Sequence, residues 1–405
     1  MTGVKRYELA DRAGVPQSFV DRLVELKILV PSDDGTFSGG DLYRTRLMWS
    51  TKQAGVPLDG VAGAMEAGRF TLAFLDMPHY RWSPLSDRTF AELAEESGID
   101  LDQLLDVEEA QGSERPSPDD RVRQDVIDML PAIRLSLDAG IDPGIFPRVA
   151  RTYAESMRRI AEAEGHVYHN YVELPILRSG LGHKEMAEMA NAFGAQITHL
   201  QEQLILGMYR RQQELVWTAD TIEHMESALE ELGLYERPAR PPAMVFIDLT
   251  GYTRLTEEQG DRAAAELAGR LGDLVQRGAR THGGRPVKWL GDGVMCHFRD
   301  PTGAVPAALG LVEEVPKGGL PPAHVGVAAG PVIAQDGDYY GRTVNLAARL
   351  AGHARAGQTL VEDDVVRLCD GSGLRFEERG TVELKGIPHP VRIHEAFRGG
   401  LGTGG

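Results

Sequence analysis

The sequence predicts an α+β protein with a mostly helical first half and a strand-containing domain behind it. Three observations lead there. Residues 71–233 carry apolar side chains at helical spacing, whereas from Ala243 onward short apolar runs alternate with Gly- and Asp-containing turns. Between the two, Pro238, Pro241 and Pro242 follow Gly233 and form a stiff break. At 405 residues two or three domains are expected, each with room for a core.

Taken in order, Tyr7 to Leu23 reads as a helix, a turn at Gly14, and a second helix begun by Pro16. With Leu26 to Pro31, Asp41 to Leu47 and Ala54 to Val61 it makes residues 1–70 resemble a MerR-type winged helix. It departs from that family where DNA would be met. The Arg-Tyr pair usual in the second helix is replaced around Val20-Asp21, and the wing Asp33-Asp34-Gly35-Thr36 is acidic where phosphates want cations. A regulatory or dimerising module is therefore the favoured reading, and DNA binding by residues 1–70 the lesser one.

Residues 71–236 read as a helical regulatory domain. A second helix-turn-helix-like run, Thr89 to Asp102, precedes a polar stretch from Gln111 to Asp120. A helix is expected near Phe146 to Val172, and a long one near His183 to Leu232, interrupted or continuous, which if continuous spans about 75 Å at 1.5 Å per residue. His166, His169, His183, His199 and His224 can titrate near neutral pH. The first two, at i and i+3, also have the spacing of metal ligands, although ordinary surface or satisfied histidines explain each one better. Apolar positions such as Met186, Phe193, Ile197 and Leu204 fit either helix packing or the lining of a small-molecule pocket.

Residues 237–242 form the Pro-rich linker, 243–397 the second domain, and 398–405 a Gly-rich tail. Within the second domain, Met244-Val-Phe-Ile-Asp248 is an apolar run ending in an acid before a Gly-containing turn, as a buried strand delivers a carboxylate to its end. Asp292 follows 44 residues later, between two short apolar strands in Gly291-Asp292-Gly293. That is a hairpin with an acid at its tip, although Asp-Gly alone also reads as plain turn chemistry. Two carboxylates on adjacent loops can hold a pair of Mg²⁺ or Mn²⁺ ions. Beyond Asp338 and Gly341, the run Val344 to Ala351 looks helical, so Asn345 and Arg349 share one face. Asn345 can orient a ribose, and Arg349 can meet charge developing on a phosphate.

Three blocks in this order, Phe246 to Tyr252, Lys288 to Gly293 and Asp338 to Arg349, resemble the catalytic domain of class III adenylyl and guanylyl cyclases. The matching patterns are F-x-D-[LI]-x-G-[FY], K-x-x-G-D-G and D-[YF]-x-G-x-x-V-N-x-A-[AS]-R. The resemblance covers somewhat over a third of the chain and implies a ferredoxin-like βαβ domain. It implies that Asp248 and Asp292 are metal ligands for two Mg²⁺ or Mn²⁺ ions. Lys288 and Asp338 become the base-reading pair, and Asn345 and Arg349 the transition-state residues. Lys385 corresponds to a late lysine that contacts the triphosphate, although a strand-end lysine is its simpler explanation. In the family the metals come from one protomer, and the residues matching Lys288, Asp338, Asn345 and Arg349 from its partner. A homodimer with two shared sites follows, because one chain carries every role.

Hydrogen-bond polarity then selects the base. Adenine offers an acceptor at N1 and a donor at its amine, which suit Lys288 and Asp338; guanine presents the reverse. The expected activity is an adenylate cyclase that converts ATP to 3′,5′-cyclic AMP and pyrophosphate, regulated by the helical half. The alternatives are a catalytically weak nucleotide-binding sensor and a DNA-binding regulator. Two departures from the family stand out. Ala329-Gly330-Pro331 replaces a segment that often carries a phosphate-binding Arg, and Asp338 follows Asp292 by only 46 positions.

Composition agrees with a cytoplasmic enzyme. A formal charge of −17, from 43 Lys and Arg against 60 Asp and Glu, argues against general nucleic-acid binding. Two cysteines, Cys296 and Cys369, suggest a reducing compartment. No apolar run approaches the roughly 20 residues of a membrane span, and Met1 to Lys5 opens no signal peptide.

Overall fold

The computed structural model describes residues 4–69, 72, 75, 83–175, 183–236 and 241–399. Within helices, the side chains of His183 and Met186 also lie outside the described set, as do residues 237–240 of the Pro-rich stretch and 400–405 of the tail. The chain divides into two compact units, Met1–His224 and Met225–Gly405.

In the first unit, α1 (Arg6–Ala13) and α2 (Gln17–Glu25) are joined through Gly14, whose φ of 68° ends α1 in a left-handed cap. α3 (Gly39–Gln53) starts at a capping box in which Ser38 accepts from the Asp41 N–H at 3.2 Å and Asp41 accepts from the Ser38 N–H at 2.8 Å. With α4 (Leu58–Glu66), these helices close over Leu9, Phe19, Leu23, Leu29, Phe37 and Met48. β1 (Leu85–Thr89), α5 (Phe90–Ser97), α6 (Leu101–Ala110), β2 (Arg121–Arg123) and α7 (Gln124–Asp138) follow. They share a second small core around Phe90, Leu93, Leu104 and Val122.

The antiparallel β1–β2 pair departs from the all-helical expectation for this region. Leu85-Ser-Asp-Arg-Thr89 has no apolar alternation, so the strand exists only through pairing with Arg121–Arg123, some thirty residues on. α8 (Ile145–Tyr168) passes into a π-helical turn (His169–Glu173), and α9 (His183–Glu231) runs unbroken for 49 residues. Along α9 and just beyond it, Phe193, Leu200, Leu204, Met208, Leu215, Met225, Leu229 and Leu232 are exposed. With half-buried Ile222 they recur at intervals of three, four or seven. His166 and His199 engage in local side-chain bonds with Asn170 and Gln203, each four residues on. Among the described residues no group of three or more His, Cys, Asp or Glu is arranged to hold a metal, and no helix is long and apolar enough to cross a membrane.

The second unit is built on a seven-stranded sheet. Its elements are β3 (Ala243–Leu249), α10 (Tyr252–Gln259), α11 (Asp261–Thr281), β4 (Gly284–Leu290), β5 (Gly293–Phe298), α12 (Pro301–Lys317) and β6 (Ala323–Ala329). A small hairpin of β7 (Ile333–Gln335) and β8 (Asp338–Tyr340) leads to α13 (Arg342–His353), β9 (Thr359–Glu362), α14 (Asp363–Leu368), β10 (Leu374–Val382) and β11 (Val391–Arg398). The strand order is β10-β11-β9-β6-β3-β5-β4, with β6 and β9 parallel and the remaining pairs antiparallel. Strands β3 to β6, in spatial order β6-β3-β5-β4 with helices after β3 and β5, form the expected ferredoxin-like βαββαβ core. The α+β expectation holds.

Both faces of the sheet are covered, by different partners. Val245, Ile247, Val294, Cys296, Val325 and Val327 point to one face and pack with Leu267, Leu271 and Val275 of α11 and Val305 and Ala308 of α12. Their neighbours Met244, Met295 and Ala328 point the other way and meet Leu346, Ala347 and Leu350 of α13. There α13 lies so close to β6 that a Cβ on Gly326 would sit 2.2 Å from the Ala351 nitrogen and 2.3 Å from the Ala347 oxygen. Only glycine permits that approach.

Candidate functional site

The site residues follow from this alternation. On β3 the side chains of Met244, Phe246 and Asp248 take the α13 face, because Val245, Ile247 and Leu249 take the other. Asp248 lies opposite His324 of β6, whose Nε2 is 3.5 Å from the carboxylate, while the Thr250 hydroxyl is 3.1 Å from His324 Nδ1. On the β5 side, a Cβ on Gly293 would come within 3.1 Å of Asp248 Oδ1, so the missing side chain at Gly293 leaves room for the carboxylate. Asp292 sits in the tight β4–β5 turn beside Gly291, whose φ of 66° suits glycine. Partial burial, and then the charge of Asp248, raise the Asp292 carboxyl above the ordinary carboxylate value.

This pair suits divalent metal. Carboxylate oxygens are hard donors for Mg²⁺ or Mn²⁺, and the repulsion that raises Asp292 is what a bound cation would relieve. The described residues supply two carboxylates and no closed cage, so nucleotide oxygens and water would complete the coordination.

Lys288, on edge strand β4, shares the α13 face with its neighbour Met295. Its Nζ lies 2.7 Å from Asp338 Oδ2, with Lys288 about half exposed and Asp338 mostly covered. Asp338 belongs to the β7–β8 hairpin, which folds back over β4 and β5. There the Tyr339 ring stacks on His297 at 4.5 Å and 7°, and Arg285 donates to the Tyr339 hydroxyl at 2.9 Å.

At the start of α13, the Thr343 hydroxyl donates to the Pro331 carbonyl at 2.9 Å and ties the helix to the end of β6. Asn345 and Arg349 are both exposed on one side of α13, as their spacing predicts. Lys385 is exposed in the β10–β11 connection, where Leu384 joins the α13-face core. The single chain thus brings together Lys288 with Asp338, and Asp248 with Asp292. Asn345, Arg349 and Lys385 are exposed to solvent.

His324, His297, Arg285 and Tyr339 were not singled out from sequence. The one available signal was a histidine at an alternate position of an otherwise apolar strand, present at both His324 and His297.

Glu362, at the end of β9, is buried and accepts the Ala329 N–H at 3.1 Å beside the Gly330-Pro331 turn. Burial, and then Asp364, raise its carboxyl from the ordinary 4.5 to about 7, against the opposing Ala329 hydrogen bond. The protonated form is therefore favoured in the fold. Its stabilising contribution is complete below pH 4.5 and is lost as pH rises through 7. Glu362→Gln keeps an acceptor for Ala329 and removes the charge. Urea unfolding should find the variant equal to the natural protein near pH 4 and more stable at pH 8, by up to about 3 kcal/mol. Parallel pH slopes for the two proteins would refute this.

A family profile described as the adenylate and guanylate cyclase catalytic domain matches residues 234–396. The chain is similar to a pH-sensitive adenylate cyclase of Mycobacterium tuberculosis, with 32% identity over 324 residues, covering 77% of this chain and 79% of that one. It is also similar to an adenylate cyclase of Streptomyces coelicolor, 36% identical over 133 residues, which are 32% of this chain and 35% of that protein. Among solved structures, the adenylyl cyclase CyaB from P. aeruginosa aligns at 23% identity over 39% of this chain and 94% of that chain, with a TM-score of 0.36.

Proposed function

The chain belongs to the adenylate and guanylate cyclase family, and on that premise we propose that it converts ATP to 3′,5′-cyclic AMP and pyrophosphate at sites shared between two copies of itself. The observation that carries the choice of base is the Lys288–Asp338 pair, a donor and an acceptor held 2.7 Å apart on one sheet face. Lys288 donates to adenine N1, and Asp338 accepts from the exocyclic amine. Because Lys288 is half exposed, opening the pair to admit the base costs at most about 1 kcal/mol.

The ribose 3′-oxygen attacks the α-phosphorus, and the bond to the bridging oxygen breaks as pyrophosphate leaves with the electron pair. The 3′-hydroxyl gives up its proton to water in the same step. Asn345 holds the ribose, Arg349 meets the charge that develops on the α-phosphate, and Lys385 contacts the triphosphate. Asp248 and Asp292 would hold two Mg²⁺ or Mn²⁺ ions, which when bound acidify the 3′-hydroxyl and neutralise the triphosphate.

Sharing between copies is supported by the exposure of Asn345 and Arg349, which lie on the solvent side of α13 and are open to a second copy. The apolar stripe on α9 offers a second self-complementary surface. Residues 1–236 are then a regulatory region. The second helix of its helix-turn-helix is a poor DNA reader, since its cation Arg22 is held by Asp59 at 2.6 Å and Glu25 at 3.1 Å. Cys296 and Cys369 are buried thiols, which fits a reducing cytoplasm.

The test is an assay of the purified full chain with ATP and Mn²⁺, scored for cyclic AMP, beside a fragment starting at residue 237. The full chain is expected to produce cyclic AMP, and the fragment to differ from it several-fold in specific activity. Absence of cyclic AMP from both would end the enzymatic reading. Equal rates and equal pH dependence, with both proteins dimeric, would end the regulatory one.

A further inference from the structure

We propose that His297 and Arg285, acting through Tyr339, are positioning residues that set the discrimination between adenine and guanine. The inference rests on the reading of Asp338 as the residue that meets the base. Asp338 sits on a hairpin whose two strands are only three residues long, with a tight turn at Asp336-Gly337 and with Ile333 and Tyr340 exposed. Such a hairpin is too small to hold its own shape. Something must fix it to the sheet to within the fraction of an ångström that hydrogen-bond selection requires.

The fixture is the residue next to Asp338. The Tyr339 N–H donates to Asp338 Oδ1 at 2.8 Å, so the backbone of Tyr339 aims the carboxylate while Oδ2 faces Lys288. The ring of Tyr339 lies flat on His297 of β5, and its hydroxyl accepts from Arg285 of β4. The guanidinium carbon of Arg285 is also 5.8 Å from the Tyr339 ring centroid. His297 and Arg285 are register partners across the β4–β5 ladder, so the clamp is anchored in two paired strands of the main sheet. Lys288, the other half of the base-reading pair, lies three residues along the same β4 strand. Both halves of the pair are therefore referenced to one ladder.

Burial, and then the Arg285 charge, hold the His297 ring down to about pKa 4. The stack is thus a neutral imidazole on a phenol throughout the neutral range. Its role is geometric, and its loss should leave the shape of the pH profile between pH 6 and 9 unchanged.

The experiment uses the full chain with Mn²⁺ and measures kcat and KM for ATP together with the inhibition constant of GTP against it. The ratio of the GTP inhibition constant to the ATP KM is the readout, because unfolded molecules lower kcat and leave that ratio alone. His297→Ala and Tyr339→Ala should each lower the ratio about tenfold, mainly through a higher KM for ATP, as expected for a displaced hydrogen-bonding group. His297→Phe, which keeps a flat ring under Tyr339, should restore most of the ratio. Asp338→Ala is the reference and should lower it at least as far. An unchanged ratio in both alanine variants, alongside a collapse in Asp338→Ala, would overturn the positioning role and leave the base-reading role standing. An unchanged ratio in Asp338→Ala would remove the base-reading role and this inference with it.

Discussion

Asp248→Ala is expected to lower cyclic AMP formation by about a thousandfold or more, because a metal ligand contributes several kcal/mol of charge stabilisation and each 1.36 kcal/mol is a factor of ten. Asp292→Ala should do the same. Neither change should unfold the protein, since the Asp248 side chain is 46% exposed and Asp292 occupies a turn. Arg349→Ala should also be inactive, for a different reason and from a different protomer. Mixing Asp248→Ala with Arg349→Ala then makes heterodimers in which one site carries both defects and the other carries neither. With free exchange, half the dimers are mixed, and about a quarter of the natural activity should return. Activity above a few per cent in either carboxylate variant alone would sink the metal assignment. Failure to recover activity in a mixture shown to exchange subunits would mean each site is built from one chain.

The second large effect concerns the base. Lys288→Glu combined with Asp338→Cys should reduce ATP cyclisation by about a hundredfold to ten-thousandfold, because a buried hydrogen-bond mismatch is far costlier than a lost contact. The fold should tolerate the exchange. Lys288 is half exposed, and an ion pair in that setting contributes no more than about 1 kcal/mol to stability. A GTP cyclase need not appear, since the two positions act within a pocket shaped by the rest of the chain. An unaltered ATP rate in the double variant would show that the pair does not read the base.

Much of this architecture was legible because local pattern and tertiary role agree. The apolar run Ala243–Leu249 is a central strand, and its pairing on both sides explains why almost every position but Phe246 and Asp248 is buried. Asp292 reads as a hairpin tip because Gly291 supplies the positive φ there. The helix expected over Val344 to Ala351 begins two residues earlier, at Arg342, and ends two later, at His353.

The illegible parts depend on register. His324 meets Asp248 only because β6 pairs with β3 in one alignment, and His297 meets Tyr339 only because the β7–β8 hairpin folds back across β5. Spacing along the chain holds neither fact. The β1–β2 pair failed for the same reason, as neither strand has a pattern of its own.

Each of the central strands serves two masters by parity. Along β3, odd-numbered positions enter the core with α11 and α12, while Asp248 and its even-numbered companions take the α13 face, where the chemistry is proposed. Deleting Ala243 or Met244 would send the acid into the hydrocarbon interior and bring Val245 and Ile247 to the α13 face. A slip that misplaces the carboxylate thus costs the core as well. Loss of activity by insertion or deletion should therefore appear in cells as degraded protein, whereas loss by side-chain replacement should leave an intact domain. An inactive descendant of this chain is expected to keep its strand lengths and to carry its damage at Asp248, Asp292, Asn345 or Arg349.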